Sequence, residues 1–158
     1  MRLVFVLSSL TLSGGVLLVA DYANRLAARG HSLAVVYPQG AVDPAMAAAL
    51  HPSVQHAPAN GSLAQGRTFL GKLRLSAGLA RAIPPADIVI ATHTPTILPV
   101  LLAAAAHRPR PRRAWLYMDY DAMFAGRPAE RLLLHRGPAW FDLVMTISHP
   151  LAAAARGD

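Results

Sequence analysis

Short, continuous apolar segments alternate along the chain with longer segments in which apolar residues recur at helical spacing. Residues 3–7 form the first apolar segment, which is typical of a strand buried on both faces. Residues 16–29 follow, with apolar positions 16, 19, 20, 23, 26 and 27 on one side of a helix. The same analysis predicts further strands at 33–36, 54–57, 87–91, 114–118 and 143–147, and further helices at 43–50, 62–83, 95–106, 128–136 and from 149 onward.

This alternation predicts an α/β fold. We expect a single Rossmann-like, doubly wound domain over residues 1–158, with a mostly parallel sheet of about six strands and helices on both faces. Ligands of such sheets bind beyond the carboxyl ends of the strands, at the point where the strand order reverses. Polar segments follow four of the predicted strands, at 8–15, His93, 119–121 and 148–149. We expect the first two to be neighbours, because strands one and four flank the reversal.

The segment between the first strand and the first helix contains the pair Gly14-Gly15. Glycines at such a turn let the backbone approach a ligand, and the free N–H groups of the new helix favour an anion. The segment therefore resembles a phosphate-binding corner, although it lacks the G-x-G-x-x-G spacing. A purely structural glycine pair remains the alternative.

The composition excludes several classes of protein and of site. Hydrophobic residues make up 54% of the 158 residues and charged residues 15%, which is typical of a globular domain and not of a disordered chain. Cysteine is absent, so disulfides, thiol catalysis and zinc–thiolate sites are excluded. No pair of histidines has metal-ligand spacing with a carboxylate beside it, and we expect no metal site.

The formal net charge is +7, which favours a polyanionic neighbour: anionic lipid, a phosphorylated substrate or nucleic acid. Solvated loops and helix faces explain the same charge equally well. Basic residues concentrate in two segments: Arg67, Lys72, Arg74 and Arg81, and then Arg108, Arg110, Arg112 and Arg113. Nucleic acid is the least favoured partner, because these segments lack interleaved aromatic residues.

No segment predicts a membrane span or a leader. Residues 2–12 have the outline of a signal peptide, but Ser8, Ser9 and Thr11 interrupt the apolar run, and a strand and turn explain it better. The apolar run 97–106 contains Pro99 and falls short of the roughly 20 residues that a bilayer requires. The sequence predicts a soluble, cytoplasmic protein. Peripheral binding at the inner face of the membrane is compatible with this prediction.

Four segments resemble the amino-terminal domain of the glycosyltransferase family 4 enzymes, in the order that the family has them. SGGVLLVADYANRLAARGHSLAVVYP contains the glycine pair and the phrase Arg29-Gly30-His31 before a strand that ends on proline. ADIVIATHTPT is similar to the family's strand that ends in a histidine. WLYMDYDAMF resembles the aspartate–tyrosine–acid segment of rhamnosyltransferase-like members, and FDLVMTIS resembles the segment before the crossing to the second domain.

The resemblance implies a GT-B fold, in which two Rossmann-like domains face each other across a cleft. It implies a retaining hexosyl- or rhamnosyltransferase of polysaccharide or cell-envelope synthesis, without an obligatory metal or cofactor and with a nucleotide-sugar as co-substrate. His93 would be the catalytic-cleft residue and would contact the reacting sugar or acceptor, while Gly14 and Gly15 would approach the donor diphosphate. Asp119, Tyr120 and Asp121 would line the side that binds a glycan or lipid-linked acceptor.

The chain departs from the family in one large respect. The family's donor-binding second domain carries a spaced pair of glutamates, whereas Glu130 is the only glutamate here. We therefore expect the chain to be the acceptor-side half of such an enzyme, inactive without a second domain because transfer requires both substrates in one geometry. A stand-alone nucleotide- or phosphate-binding Rossmann module without catalysis is the alternative. Asp119 and Asp121 also allow a paired-carboxylate glycosidase, but their spacing does not establish one.

Overall fold

The computed structural model describes residues 1–60 and 68–156. The strands are β1 (Arg2–Val6), β2 (Ser32–Pro38), β3 (Gln55–Ala59), β4 (Ile88–Ala91), β5 (Arg112–Tyr117) and β6 (Leu143–Thr146). The helices are α1 (Gly14–Ala28), α2 (Pro44–Ala48), α3 (Phe69–Ala82), α4 (Ile97–Ala106), α5 (Pro128–Arg136) and α6 (His149–Arg156). Single turns of 3-10 helix cover Thr94–Thr96, Asp121–Phe124 and Gly137–Trp140.

The strands form one parallel sheet in the order β3-β2-β1-β4-β5-β6. The chain moves outward from β1 to β3, returns to the centre, and then moves outward again from β4 to β6. Val6 at the end of β1 is therefore flanked by Val36 of β2 and Ala91 of β4. This arrangement confirms the predicted α/β, Rossmann-like domain with a six-stranded parallel sheet, and it puts the reversal of strand order between β1 and β4.

The two faces of the sheet bury separate apolar layers. Alternate strand residues such as Phe5, Val35 and Leu116 pack with Val19 of α1 and Met46 of α2 on one face. The intervening strand residues pack on the other face with side chains of α3 to α6, among them Leu79, Val100, Leu134 and Leu151. Because successive side chains of a strand point to opposite faces, strands covered on both faces are apolar throughout. That is the pattern from which the sequence predicted them.

The predicted helix over residues 62–83 differs from the observed one in its start and in its buried side. Thr68 has extended backbone angles and caps the helix, which begins at Phe69; residues 62–67 lie outside the described part of the chain. Of the apolar positions predicted to share one side, 70, 73, 77 and 80, Ala77 and Ala80 are half-buried and Ala80 packs against the core, whereas Leu70 is 58% exposed and Leu73 is 39% exposed. The helix instead buries small residues and Leu79, and Gly78 lies so close to Asn60 that a Cβ would be 2.7 Å from the carbonyl oxygen.

Shorter elements follow the prediction more closely. Asp43 caps α2, with its Oδ1 accepting a hydrogen bond from the backbone N–H of Ala45 at 2.9 Å, and Pro44 occupies the first turn. Strand β3 lies at the sheet edge as expected, although it extends to Ala59. No helix in the described part of the chain is long and apolar enough to cross a bilayer.

Candidate active site at the reversal of strand order

Gly15 and His93 meet at the carboxyl edge of the sheet. Gly15 lies in the first turn of α1, and His93 lies two residues after β4, on the turn that leads into α4. A Cβ built on Gly15 would be 3.1 Å from His93 Nε2 and 3.3 Å from His93 Cε1. The expectation that the two segments are neighbours is confirmed. Glycine at this position leaves room for the imidazole, so the two residues together define one candidate site.

The start of α1 presents backbone N–H groups toward the same edge. Ser13 is the N-cap, and its hydroxyl accepts a hydrogen bond from Val16 N at 3.3 Å. Gly14 is exposed, and a Cβ there would meet nothing within 4 Å. The first N–H groups of a helix have no partner inside the helix and carry its positive partial charge, so this end of α1 favours an anion.

Buried threonines hold the turn that carries His93. The Thr96 hydroxyl accepts hydrogen bonds from Thr92 N at 3.0 Å and His93 N at 3.2 Å, and it donates to His93 O at 2.7 Å. Its single proton and its lone pairs are thus all engaged. Thr92, Thr94 and Thr96 have no exposed surface. The turn is therefore fixed by side chains that water does not reach.

Asp119 supports the same turn from the neighbouring strand. It follows β5, is 2% exposed, and its Oδ2 accepts a hydrogen bond from Thr94 N at 2.6 Å. Hydrogen bonds to an ionised carboxylate are short and stronger than neutral ones. The Thr94 hydroxyl, by contrast, has no hydrogen-bond partner among the described residues. Asp119 is thus next to the histidine turn, while its role toward an acceptor stays a prediction.

Burial lowers the pKa of His93, and the negative charge of Asp119 opposes that shift. Burial dominates because an imidazolium ion loses hydration when it leaves water. The pKa therefore falls below the ordinary value of 6.5, and His93 is neutral near neutral pH. A neutral imidazole can accept a proton or a hydrogen bond, which suits a residue in a reaction cleft.

Tyr120 and Asp121 occupy different surroundings from Asp119. Tyr120 is 51% exposed at the edge of the sheet. Both carboxylate oxygens of Asp121 are bound by Arg131 of α5, at 2.9 and 2.8 Å, and His135 lies 2.8 Å from Oδ1. These hydrogen bonds lower the pKa of Asp121. The carboxylates of Asp119 and Asp121 therefore have separate partners, and acceptor contacts by Tyr120 and Asp121 stay predictions.

Sequence reasoning missed Thr92, Thr96 and Met118 as parts of this site. The spacing T-H-T-P-T was visible, and threonine before a proline-started turn is a signal for side-chain capping. Met118 directly follows β5, and its Cε would lie 3.5 Å from a Cβ on Gly15. Its proximity depends on the pairing of β4 with β5, which the sequence alone does not give.

A separate trough of about 540 Å³ lies at the opposite, amino end of the sheet. Its lining includes Ile88, Arg110, Arg112, Arg113, Asp142 and Leu143. Arg113 and Asp142 form a salt bridge at 2.8 Å, and the hydrogen bonds from Arg113 lower the pKa of Asp142 to about 2. Since β4, β5 and β6 begin here, the trough is a strand's length away from His93.

Across residues 1–60 and 68–156, no group of three or more metal-ligating side chains could hold a metal ion.

Comparison with known proteins finds distant similarity among solved structures alone. No protein-family model matches the chain, and no curated protein matches it. Among solved structures, the chain is similar to one titled as the glycotransferase of kitacinnamycin, with a TM-score of 0.46 and 17% sequence identity. The similarity covers 88% of this chain and 39% of that one, so the chain spans well under half the length of the solved protein. A likeness of this size carries no conclusion about function.

The lowered pKa of His93 predicts a contribution to the pH dependence of stability. An imidazole with a lower pKa in the folded state adds stability above its ordinary pKa of 6.5, and that stability is lost as the pH falls toward the folded-state pKa. We expect the melting temperature of the wild type to fall more steeply than that of His93→Gln between about pH 7.5 and pH 5. Thermal melts of both proteins check this, and parallel curves would contradict burial of a neutral imidazole.

Proposed function

We propose that this chain is the acceptor-side domain of a glycosyltransferase with two facing Rossmann-like domains. It transfers a sugar from a nucleotide-sugar to a glycan or lipid-linked acceptor, with retention of configuration. The observation that carries the proposal is the contact between Gly15 and a neutral His93 at the reversal of strand order. That contact joins a helix start that favours the diphosphate to a side chain that can accept a hydrogen bond from a sugar or acceptor hydroxyl.

The two parts of the site bind different groups of the substrates, because one favours an anion and the other is a neutral hydrogen-bond acceptor. The amino end of α1, at Gly14 and Gly15, takes the diphosphate, because its N–H groups donate hydrogen bonds and its partial charge is positive. His93 faces the sugar or the acceptor hydroxyl, because a neutral imidazole does not offset phosphate charge but can accept a hydrogen bond. Asp119 stabilises the turn that presents His93. A second domain supplies the remaining contacts to the donor, and the two domains together fix the reacting geometry.

Exposed apolar side chains at this edge support a facing domain. Leu12 in the loop after β1 is 68% exposed, and Met123 in the 3-10 turn after β5 is 58% exposed. Scattered apolar residues are common on surfaces, but these follow strands that end beside the candidate site. A second domain over the carboxyl edge would cover them and exclude water from the cleft.

Calorimetric titration with UDP-glucose, GDP-mannose and dTDP-rhamnose tests the proposal. It is done with the 158-residue chain and with a longer chain translated through the adjacent coding sequence. We expect strong binding of one donor by the longer chain only. Gly15→Val places a branched side chain against His93, and we expect it to weaken binding at least about tenfold, or about 1.4 kcal/mol. Ala28→Val, at the exposed far end of α1, is the matched control.

The same titration separates the catalytic role of His93 from donor binding. We expect His93→Gln in the longer chain to lower sugar transfer about 10²–10⁴-fold. Donor affinity should fall no more than about tenfold, the size of one lost hydrogen bond. Binding by the 158-residue chain alone, abolished by Gly15→Val and without transfer by the longer chain, would favour a stand-alone nucleotide-binding module. Absence of binding to either chain would refute the proposed function.

We further propose that the start of α3 docks on anionic membrane, as a lipid-linked acceptor requires. Phe69 is 75% exposed and Leu70 58% exposed, and Arg74 is exposed one turn further along. Lys72 forms a salt bridge with Glu130, so its charge is partly offset. Because α3 runs from the end of β3 to the start of β4, Phe69 and Leu70 lie at the same edge of the sheet as His93.

The 108–113 connector lies at the other edge of the sheet from the start of α3. That connector lies at the amino end of β5, and α3 with its 14 residues spans about 21 Å between the two edges. Its arginines are therefore at the far edge together with Arg81. We therefore confine the proposed docking surface to the apolar and basic start of α3.

Flotation with phosphatidylglycerol vesicles tests the docking surface. We expect the double change Phe69→Ser and Leu70→Ser to reduce vesicle binding at least tenfold, because each residue loses about 1 kcal/mol or more of apolar burial. Leu102→Ser, at an exposed position of α4, is the matched control and should bind as the wild type does. Equal flotation of all three proteins would show that α3 is not the docking surface.

A further inference from the structure

The Thr92 hydroxyl connects β1 to the imidazole of His93. Thr92 directly follows β4 and has no exposed surface. Its Oγ1 lies 2.8 Å from the carbonyl oxygen of Val6, the last residue of β1. The same Oγ1 lies 3.1 Å from Nδ1 of His93. One buried hydroxyl thus bridges a backbone carbonyl and a ring nitrogen.

The direction of both hydrogen bonds follows from counting protons. A carbonyl oxygen only accepts, so the single hydroxyl proton of Thr92 must go to Val6 O. The Thr92 oxygen can then only accept from His93, and the proton of that second hydrogen bond must be on Nδ1. A neutral imidazole carries one N–H, so Nε2 keeps a lone pair.

The lone pair of Nε2 lies on the side of the ring that faces the candidate site. Nε2 is the ring atom nearest to the position that a Cβ on Gly15 would occupy, at 3.1 Å. The opposite side of the ring is turned toward Thr92. The ring therefore presents an acceptor, and not an N–H donor, beside the start of α1.

We propose that Thr92 is a positioning residue that fixes His93 as the Nδ1–H tautomer, so that Nε2 accepts a hydrogen bond from a hydroxyl of the bound sugar or acceptor. The ligand group at His93 is then a hydroxyl, and not a phosphate oxygen, because two acceptors do not form a hydrogen bond. The identity of this hydroxyl rests on the proposed function, whereas the tautomer does not.

Nuclear magnetic resonance of the histidine side chains reads the tautomer directly. Long-range ¹H–¹⁵N spectra of the 158-residue chain are recorded near neutral pH, and His93→Gln assigns the His93 signals by their loss. We expect a protonated Nδ1 and an unprotonated Nε2 in the wild type. Thr92→Val keeps the shape but removes the acceptor, and we expect Nε2–H to become the major form. Thr92→Ser keeps the hydroxyl and should restore the wild-type tautomer.

The result that would overturn the proposal is an Nε2–H tautomer in the wild type, or an unchanged tautomer in Thr92→Val. Backbone ¹H–¹⁵N spectra of each variant establish that it is folded. Thr92→Ser keeps the test decisive if Thr92→Val does not fold. An Nε2–H tautomer in either the wild type or folded Thr92→Ser contradicts the proposed positioning of His93 by the hydroxyl.

A binding titration tests whether His93 accepts a hydrogen bond from a hydroxyl of the ligand. The longer chain is titrated with UDP and UDP-glucose, then with GDP and GDP-mannose, and then with dTDP and dTDP-rhamnose. We expect Thr92→Val to weaken the sugar-bearing ligand about threefold to tenfold, the size of one lost neutral hydrogen bond, and to leave the nucleotide alone unchanged. Equal losses for both ligands would overturn the hydroxyl assignment. Absence of all binding to the wild type would refute the proposed function, while the spectra would still decide the tautomer.

Discussion

The parallel pairing of β1 with β4 is the constraint on which the candidate site depends. Val6 and Ala91 lie side by side at the centre of the sheet, and both strands are covered on both faces. Right-handed crossovers carry the chain from β1 to one face and from β4 to the other. The turns that leave the two strands therefore diverge, and the gap between them is where Gly15 and His93 meet. A shift in this register would move the two turns apart.

Buried polar groups make this centre specific as well as stable. An unpaired polar group in the interior costs about 1–3 kcal/mol, so the turn after β4 folds in the arrangement that pairs most of them. Thr96 satisfies two backbone N–H groups, Asp119 satisfies a third, and Thr92 joins the turn to β1. The same hydrogen bonds that fix the backbone also orient the imidazole. Fold stability and site geometry thus share one network.

The fold could be predicted because its signal is local. Strands buried on both faces are continuous apolar runs, and a cap followed by proline, as at Asp43-Pro44, marks where a helix begins. That the segments of Gly15 and His93 are neighbours followed from the strand order expected of a doubly wound sheet. Helix α3 shows the limit. Ala80 of its predicted apolar side packs against the core, but Leu70 and Leu73 are exposed. The close approach of Gly78 to Asn60, which the apolar pattern does not report, helps to set the buried side.

The details of the site depend on residues that are distant in sequence. Asp121 looks like Asp119 in the sequence, but Arg131 and His135 lie one turn apart on α5 and bind it. Thr92 has a partner 86 positions away in Val6. Such pairs are set by strand pairing and helix packing, and no local pattern reports them. The candidate residues were therefore predictable as a group near the sheet edge, and their individual partners were not.

The most direct test of the account is a nuclear Overhauser measurement between the Gly15 α-protons and the His93 ring proton on Cε1. Carbon Cε1 lies 3.3 Å from the position of a Cβ on Gly15, so the account predicts a strong cross-peak in the 158-residue chain. The cross-peak should persist in His135→Gln and disappear in His93→Gln, which assigns it. Absence of the cross-peak in a folded wild-type chain would mean that the two turns do not meet. The candidate site, and the function proposed from it, would then be contradicted.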